Sequence, residues 1–415
     1  MVQLNNKLLL LSLCLWIATL AAPAARVVEL AQADSMRSAQ VIYNGRICPL
    51  NTAARQFCLK ITGSSSFGNL TPEQVLLSWA LYPEEWKDVA MIKVKKSEVR
   101  RLIGIDGKYA RFADFFDSKG NYKLAPEQFP DIDERLSLIV LATRGEYYTP
   151  LPEGQKPLSS SRVKAELLYN SVPWDTVLFI ACFTLVIFLL FPFHSSLLTP
   201  HSSRLTLLFS LITLLFSLFS LCLRWYVARH LPLSNTYETL QVIALTSLVI
   251  ATCSARLRMP ALLVAGATSL VAHIGALDPQ ITALVPVLQS PWLSSHVTTI
   301  MISYSLFALL LFRPSRTMLL WAEIMLGIGI ILGSIWAKTA WGAYWQWDPK
   351  ENWAAISFLI YLVPLLSRKI QTGKFSMFNV QCSTFNFYLR VAFLSILMTY
   401  FGCNYLLGGL HSYAN

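Results

Sequence analysis

From Pro173 onward the chain alternates long apolar runs with short polar joints. The runs lie near 174–193, 205–223, 239–253, 260–276, 295–312, 318–337, 353–367 and 388–407, eight in all. Each approaches the roughly 20 residues that a straight helix needs to cross a hydrocarbon core, and several fall a little short. Eight crossings would return the chain to the side on which it began. Upstream the pattern changes. Leu8 to Leu20 is apolar, follows a single Lys7 and precedes Ala21-Ala22-Pro23-Ala24-Ala25, the form of a signal peptide or retained anchor. Residues 26–173 are polar enough for a soluble domain, and Thr71-Pro72-Glu73-Gln74 spells a helix start: N-cap, proline at N1, glutamine at N3. The expected architecture is a polytopic α-helical membrane protein of about eight spans. A signal or anchor occupies 1–25, a small exported domain 26–173, and the membrane domain 174–415.

Composition agrees with that reading. Of 415 residues 54% are hydrophobic and only 14% charged, outside the range of soluble globular chains. The formal charge of +11 would suggest nucleic acid in a soluble protein, but here the basic residues punctuate the spans. With the N-terminal domain outside, the inner joints carry Arg204, Arg256, Arg258, Arg313, Arg316, Arg368, Lys369 and Lys374. The outer joints carry Arg224, Arg229, Lys338 and Lys350. That asymmetry follows the positive-inside rule and agrees with the orientation set by the N-terminal segment. It places three polar-aromatic loops and the tail from Gly408 outside.

Eight cysteines occur without a Cys-x-x-Cys pair, which excludes a dithiol oxidoreductase and a c-type cytochrome. Cys48 and Cys58 share the exported domain and can either pair or remain buried thiols. No Ser-His-Asp grouping, phosphate loop or metal-binding Cys/His cluster supports a hydrolase or an ATP-driven pump. There is no internal repeat.

The densest chemical signal is Trp341-Gly-Ala-Tyr-Trp345-Gln-Trp347-Asp348-Pro-Lys-Glu351-Asn-Trp353, four tryptophans in thirteen residues within the loop 338–353. Indoles this dense at a helix end can stack on a large flat ligand such as a porphyrin; singly, each could be an interfacial anchor. His296, at the outer start of a span, and His411, in the outer tail, flank this loop in sequence. A neutral imidazole ligates iron, and a helix N-terminus disfavours its protonation. Asp348-Pro349-Lys-Glu351 is also a good helix start, so both acids are expected to cap the following span. Asn235-Thr-Tyr-Glu238 can open its span in the same way. Arg224, Arg229, Lys338 and Lys350 could pair with haem propionates or simply snorkel. His273 lies near the end of a short span; His194 and His201 belong to an inner loop.

These residues carry a resemblance. Trp341 to Trp353 resembles the WWD signature of haem-handling proteins of cytochrome c maturation. Pro232-Leu-Ser-Asn235-Thr-Tyr237-Glu238, Leu284 to Trp292, His296-Val297 with Ser303-Tyr304, and Gly409-Leu-His411-Ser-Tyr narrow it to the CcsA, or ResC, subfamily of system II cytochrome c synthase. The resemblance covers about 174–415. It implies haem b, as substrate and ligand, held on the outer face of a bacterial cytoplasmic (inner) membrane. His296 and His411 would be its iron ligands, and Trp341, Trp345, Trp347, Asp348 and Trp353 would line it. It also implies covalent attachment of reduced haem to the Cys-x-x-Cys-His motif of an apocytochrome c, beside a CcsB/ResB partner and, indirectly, thiol-reducing proteins. No catalytic nucleophile is expected and no nucleic acid. The alternative is a haem exporter or chaperone that passes haem to a separate ligase; a more distant one is a transporter of another aromatic solute.

Two features depart from the pattern. The histidine that fused CcsB-CcsA relatives carry in the span after the WWD loop falls at Leu366, which cannot ligate iron, so haem transit through this chain needs another residue, with His273 the remaining candidate. The exported domain 26–173 is not part of the minimal CcsA pattern and could dock a partner.

Overall fold

The computed structural model describes residues 25–125, 127–190, 199–275, 277, 279–284, 286–367, 374–377, 380–407 and 409, with backbone alone for 199–203 and 374–383. The expected signal or anchor, His194 and His411 lie outside the described residues. The chain divides into two compact units, Met1–Asn170 and Ser171–Asn415.

The N-terminal unit is mixed. Helices α1 (Leu30–Met36), α2 (Leu50–Thr62), α3 (Pro72–Leu81), α4 (Pro83–Trp86), α5 (Ser97–Ile103), α6 (Pro130–Thr143) and α7 (Ser160–Ser171) surround small antiparallel sheets. One sheet orders β2 (Arg46–Pro49), β1 (Gln40–Tyr43) and β5 (Thr149–Pro150); the other pairs β3 (Ile92–Lys93) with β4 (Tyr109–Ala110). The start of α3 is the capping box expected from Thr71 and Gln74. Phe57, Cys58 and Ile61 of α2 close the core against Trp79 and Trp86. Cys48 and Cys58 remain free buried thiols, and burial pushes both pKa values up to about 12, which makes them inert packing residues. Glu166 on α7 is buried and satisfied by Arg46 and by the Thr52 hydroxyl at 2.6 Å.

The second unit is a helical bundle: α8 (Trp174–Leu190), α9 (Thr199–Ala228), α10 (Thr236–Cys253), α11 (Arg258–Ile274), α12 (Pro291–Leu310), α13 (Arg316–Trp341), α14 (Pro349–Leu366) and α15 (Thr384–Leu397). A β-hairpin, β6 (Lys374–Met377) with β7 (Val380–Ser383), precedes α15, and α15 runs on as a π-helix over Met398–Leu407. Each apolar run expected from the sequence is thus helical. Among the described residues, five segments are long and apolar enough to cross a membrane: Arg204–Ala228, Thr236–Cys253, Pro291–Leu310, Arg316–Trp341 and Thr384–Leu407; Arg258–Ile274 is a shorter apolar helix. The chain is a multi-pass membrane protein.

Helix α9 shows the inverted polarity that lipid demands. Its buried positions Thr206, Ser210, Thr213, Ser217, Ser220 and Arg224 recur at alternating spacings of four and three, while Leu208, Phe209, Ile212, Leu215 and Phe219 are exposed. Small polar residues on the inner seam let helices approach closely, and the outer face matches hydrocarbon. The seam ends at Arg224, whose Nε donates to Glu238 at 2.7 Å with both side chains 1% exposed. Its remaining nitrogens bond the carbonyls of Pro279 at 2.5 Å and Gln280 at 2.9 Å. Glu238 also accepts from the Ser234 amide at 2.5 Å and hydroxyl at 2.7 Å. One ion pair therefore ties α9 to the start of α10 and to two connecting loops.

Removing one partner of a buried, hydrogen-bonded pair strands a charge, at a cost of about 3–5 kcal/mol, whereas replacing both with apolar groups costs far less. Arg224→Met should therefore lower the thermal unfolding midpoint of the detergent-solubilised protein sharply, and Arg224→Met/Glu238→Met should recover most of the loss. Equal midpoints for the single and double variants would contradict this account.

Candidate functional site

Helix α12 begins at Pro291, with Ser290 as N-cap, and carries His296 in its second turn. Its neighbour α13 packs against it through Gly329 and Gly333, spaced four apart on one face. A Cβ at Gly329 would stand 2.4 Å from Cδ1 of Ile300, and a Cβ at Gly333 would stand 2.7 Å from Cε1 of His296. The missing side chains are what let the imidazole lie against α13. There its Nδ1 donates to the Gly329 carbonyl at 2.6 Å. That bond fixes the neutral tautomer, so the lone pair resides on Nε2, the arrangement in which a histidine ligates a metal.

Gly342 ends α13 in a left-handed conformation at φ 84°, its amide bonded to the Lys338 carbonyl at 3.1 Å. The tryptophan-rich loop follows and is laced by its own polar groups. The Glu351 carboxylate accepts the amides of Gln346 at 2.8 Å and Asp348 at 3.3 Å; Asp348 accepts the Lys350 amide at 3.1 Å. This is the capping box expected from Asp348-Pro349-Lys-Glu351, and it starts α14. Trp347 takes φ 60° and its carbonyl is held by the Asn352 carboxamide at 2.8 Å. The described backbone also comes back to this loop: a Cβ at Gly409 would stand 2.4 Å from Oδ1 of Asp348.

Between α12, α13, the loop and the π-helical segment lies an open cavity of about 180 Å³. Its walls include His296, Trp336, Tyr344, Trp345, Tyr304 and Tyr400, with Ser234, Asn235, Thr239, Lys350, Glu351, Thr399 and Asn404 as polar members. The rings are braced from behind. Trp336, 1% exposed, meets Trp341 edge-on at 4.7 Å and donates to the Val287 carbonyl at 3.3 Å. Tyr400 bonds the Thr239 hydroxyl at 2.6 Å and meets Tyr304 edge-on at 6.1 Å. The π-helical turn brings Thr399, Tyr400 and Asn404 to one wall, a use typical of such segments.

Of the residues singled out in the sequence, His296, Trp345, Asn235, Lys350 and Glu351 line this cavity. Trp341 supports a lining indole, and Asp348 is buried in the cap. Trp347 is 77% exposed, meeting Trp345 edge-on at 6.3 Å, and Trp353 is half-buried at the start of the second turn of α14, outside the lining set. Trp336, Tyr304, Tyr400 and Asn404 were not read as site residues. Trp336 stands five residues before Trp341, the one signal that could have drawn attention to it.

Other sequence expectations are revised. Arg224, considered for propionates or snorkelling, is consumed by the ion pair with Glu238, and Glu238 does more than open its helix. Lys338 donates to the Gly342 carbonyl at 2.7 Å and closes α13. His273, next to the end of α11, is exposed, bonds Asp175 at 2.9 Å and does not line the cavity. Leu366 ends α14 and is exposed.

The fold and site thus define a multi-pass helical membrane protein with an aromatic cavity that presents an oriented imidazole. Sequence comparison gives this class its family. The family described as Cytochrome C assembly protein matches residues 310–411. Protein NrfI of Wolinella succinogenes is 31% identical over an alignment covering 89% of this chain and 53% of NrfI. The chain thus spans about half the length of NrfI, and the alignment takes in more of it than the membrane unit alone. Cytochrome c biogenesis protein CcsA of Chlamydomonas reinhardtii is 32% identical over 46% of this chain and 64% of its own length. CcsA of Synechococcus sp. (strain CC9902) is 31% identical, with 46% of this chain and 81% of that protein covered. The chain belongs to the CcsA family of cytochrome c biogenesis proteins.

The seat of His296 is open to test. Gly333→Ala should displace the imidazole and cut cytochrome c maturation at least about tenfold at unchanged protein level, because small misplacements at a reacting site are costly. Ile331→Ala, on the exposed face of α13, should leave it unchanged. Covalent-haem staining of a c-type cytochrome measures both; equal yields would remove the assigned role of Gly333.

Proposed function

We propose that the cavity is a haem site on the outer face of the membrane and that the chain, with a CcsB/ResB-type partner, serves there as a cytochrome c synthase subunit. The bond between His296 Nδ1 and the Gly329 carbonyl is the observation that carries this reading, because it prepares Nε2 for iron within walls of indole and phenol rings. Aromatic and aliphatic side chains dominate the lining, with polar members among them, the mixture that the ring and carboxylates of a tetrapyrrole would meet. His411 is the proposed second axial ligand. The approach of Gly409 to Asp348, two residues earlier in the chain, supports its recruitment to the tryptophan loop. Trp345 borders the macrocycle in this reading, while Trp341, Asp348 and Trp353 hold the loop that carries it. Trp347, exposed beside them, suits contact with an incoming apocytochrome.

The chemistry suits a protein that positions. A thiol adds across a haem vinyl group by forming one carbon–sulfur bond and placing its hydrogen on the neighbouring carbon, with no net redox change. Both reactants arrive from elsewhere: reduced haem as substrate and the Cys-x-x-Cys-His thiols of the acceptor. What this chain contributes is orientation and exclusion of water, which can supply several kcal/mol of the barrier. The absence of a nucleophile from the motifs in the sequence accords with that division of labour. The distribution of basic residues supports an outer location for the cavity and an inner membrane setting.

The test is reconstitution in a bacterial strain lacking its own cytochrome c maturation, with the partner and a Cys-x-x-Cys-His reporter co-expressed. Wild type should give covalent holocytochrome. His296→Ala and His411→Ala should each lower the yield at least about tenfold, with partial rescue by imidazole. Haem copurifying with the chain while the reporter stays apo would instead indicate delivery to a separate ligase. Unchanged yields in both variants would remove the axial assignment.

A further inference from the structure

At the end of the bundle away from the aromatic cavity, where α10 and α12 finish and α13 begins, lies a second open cavity of about 460 Å³. Ile302 and Leu306 of α12 and Trp321 and Met325 of α13 line it, with Leu257 from the joint after α10. Its polar lining is confined to Ser315 and Thr317, at the start of α13. Along α13 the lining runs from Ser315 to Met325, roughly 15 Å at a rise of 1.5 Å per residue, which is half of a ~30 Å hydrocarbon core and so the depth of one leaflet. Trp321 remains 54% exposed, so the groove is open along the helix flank. The polar end is basic. Arg256 precedes Leu257, Arg313 stands two residues before Ser315, and Arg316 separates Ser315 from Thr317; all three are exposed. The side chains of Arg256 and Arg313 make no hydrogen bond or ion pair among the described residues, and Arg316 donates to the Leu365 carbonyl at 3.5 Å. Neither joint, 254–257 nor 311–315, contains an acid. Ser315 accepts the Met318 amide as N-cap, which leaves its own hydroxyl hydrogen to donate.

We propose that this groove holds one anionic phospholipid, with an acyl chain between α12 and α13 and the headgroup phosphate among Arg256, Arg313, Arg316 and the hydroxyls of Ser315 and Thr317. Apolar walls one leaflet deep that end in cations and hydroxyls are the complement of such a molecule. A helix of a protein partner could fill the apolar length, but it would have to bring an acid to the rim to answer the charge; a phospholipid carries both features in one molecule. A neutral lipid fills the groove equally well, so selection lies in the headgroup, through the attraction of basic residues for anionic lipid near a membrane surface. The bound lipid joins the connection between α10 and α11 to the one between α12 and α13. It thereby braces the far ends of the two helices that meet at Gly329 and Gly333, whatever fills the aromatic cavity.

Native mass spectrometry of the full chain, purified and stripped of lipid in detergent, reads lipid adducts directly. The probes are phosphatidylglycerol and phosphatidylcholine with the same acyl chains. Wild type should bind phosphatidylglycerol at least about tenfold more tightly than phosphatidylcholine, the expected size of two or more arginine contacts near the surface. Arg256→Gln/Arg313→Gln should remove most of that preference. Arg204→Gln, exposed at the same end but outside the groove lining, should keep it. Met325→Trp, which fills the apolar length, should weaken both adducts together. Equal affinities in wild type would overturn the assignment, and so would a preference lost as fully in Arg204→Gln as in the double variant, because the attraction would then belong to the basic surface at large. A Met325→Trp chain that binds both lipids as wild type does, yet no longer copurifies with a co-expressed CcsB/ResB-type partner, would assign the groove to a protein contact and overturn the lipid site.

Discussion

The site depends on how closely two helices can approach. Residues 291–310 and 316–341 meet across Gly329 and Gly333, and the space of two absent side chains is filled by Ile300 and His296. The same contact brings a main-chain carbonyl within 2.6 Å of the imidazole and so decides which ring nitrogen carries the proton. In a lipid environment, where exclusion of water gives helices no reason to associate, such close packing is itself a principal source of cohesion. Stability and site chemistry here come from one contact. A larger residue at either glycine would trade one for the other.

Two further constraints hold the remaining walls. The Arg224 and Glu238 pair collects the end of one helix, the start of the next and the carbonyls of residues 279 and 280, and through Ser234 it fixes the stretch that supplies Asn235 to the cavity. A buried ion pair is weak evidence of net stabilisation, but a fully hydrogen-bonded one restricts geometry. On the opposite wall the tryptophan loop is held by Glu351 and Asp348, whose carboxylates satisfy amides that the turn and helix start would otherwise leave without partners. The indoles thus ride on a polar scaffold of their own sequence. The chain shares the CcsA family with these relatives, and the match to NrfI shows that the likeness is not confined to the membrane unit.

Much of this was legible in the sequence, and what was not has a physical reason. Hydrophobic run length favours helix directly, so each apolar run became helical, and among the described residues five segments reach crossing length and apolarity by themselves. Capping is local, so Thr71 with Gln74 and Asp348 with Glu351 could be read from spacing. Facing was harder. Lipid outside and packed core inside are both apolar, which weakens the amphipathic period that identifies a buried face in a soluble protein; the Ser/Thr seam of residues 206–224 retained one. Tyr304, Trp336 and Tyr400 therefore gave no sign that they share a wall. The partners of Arg224 lie on other segments, and no spacing rule links it to Glu238 and to the carbonyls of 279 and 280. The π-helical turn that presents Asn404 likewise leaves no mark in composition.

Iron ligation by His296 is the proposed central chemistry of the cavity. Visible absorption spectra of the protein purified with its partner, oxidised and then reduced, address that most directly. A low-spin spectrum with sharp reduced α and β bands in wild type, lost in His296→Ala and restored by added imidazole, is the predicted result. A wild type without haem, or a spectrum that His296→Ala leaves unchanged, would contradict it.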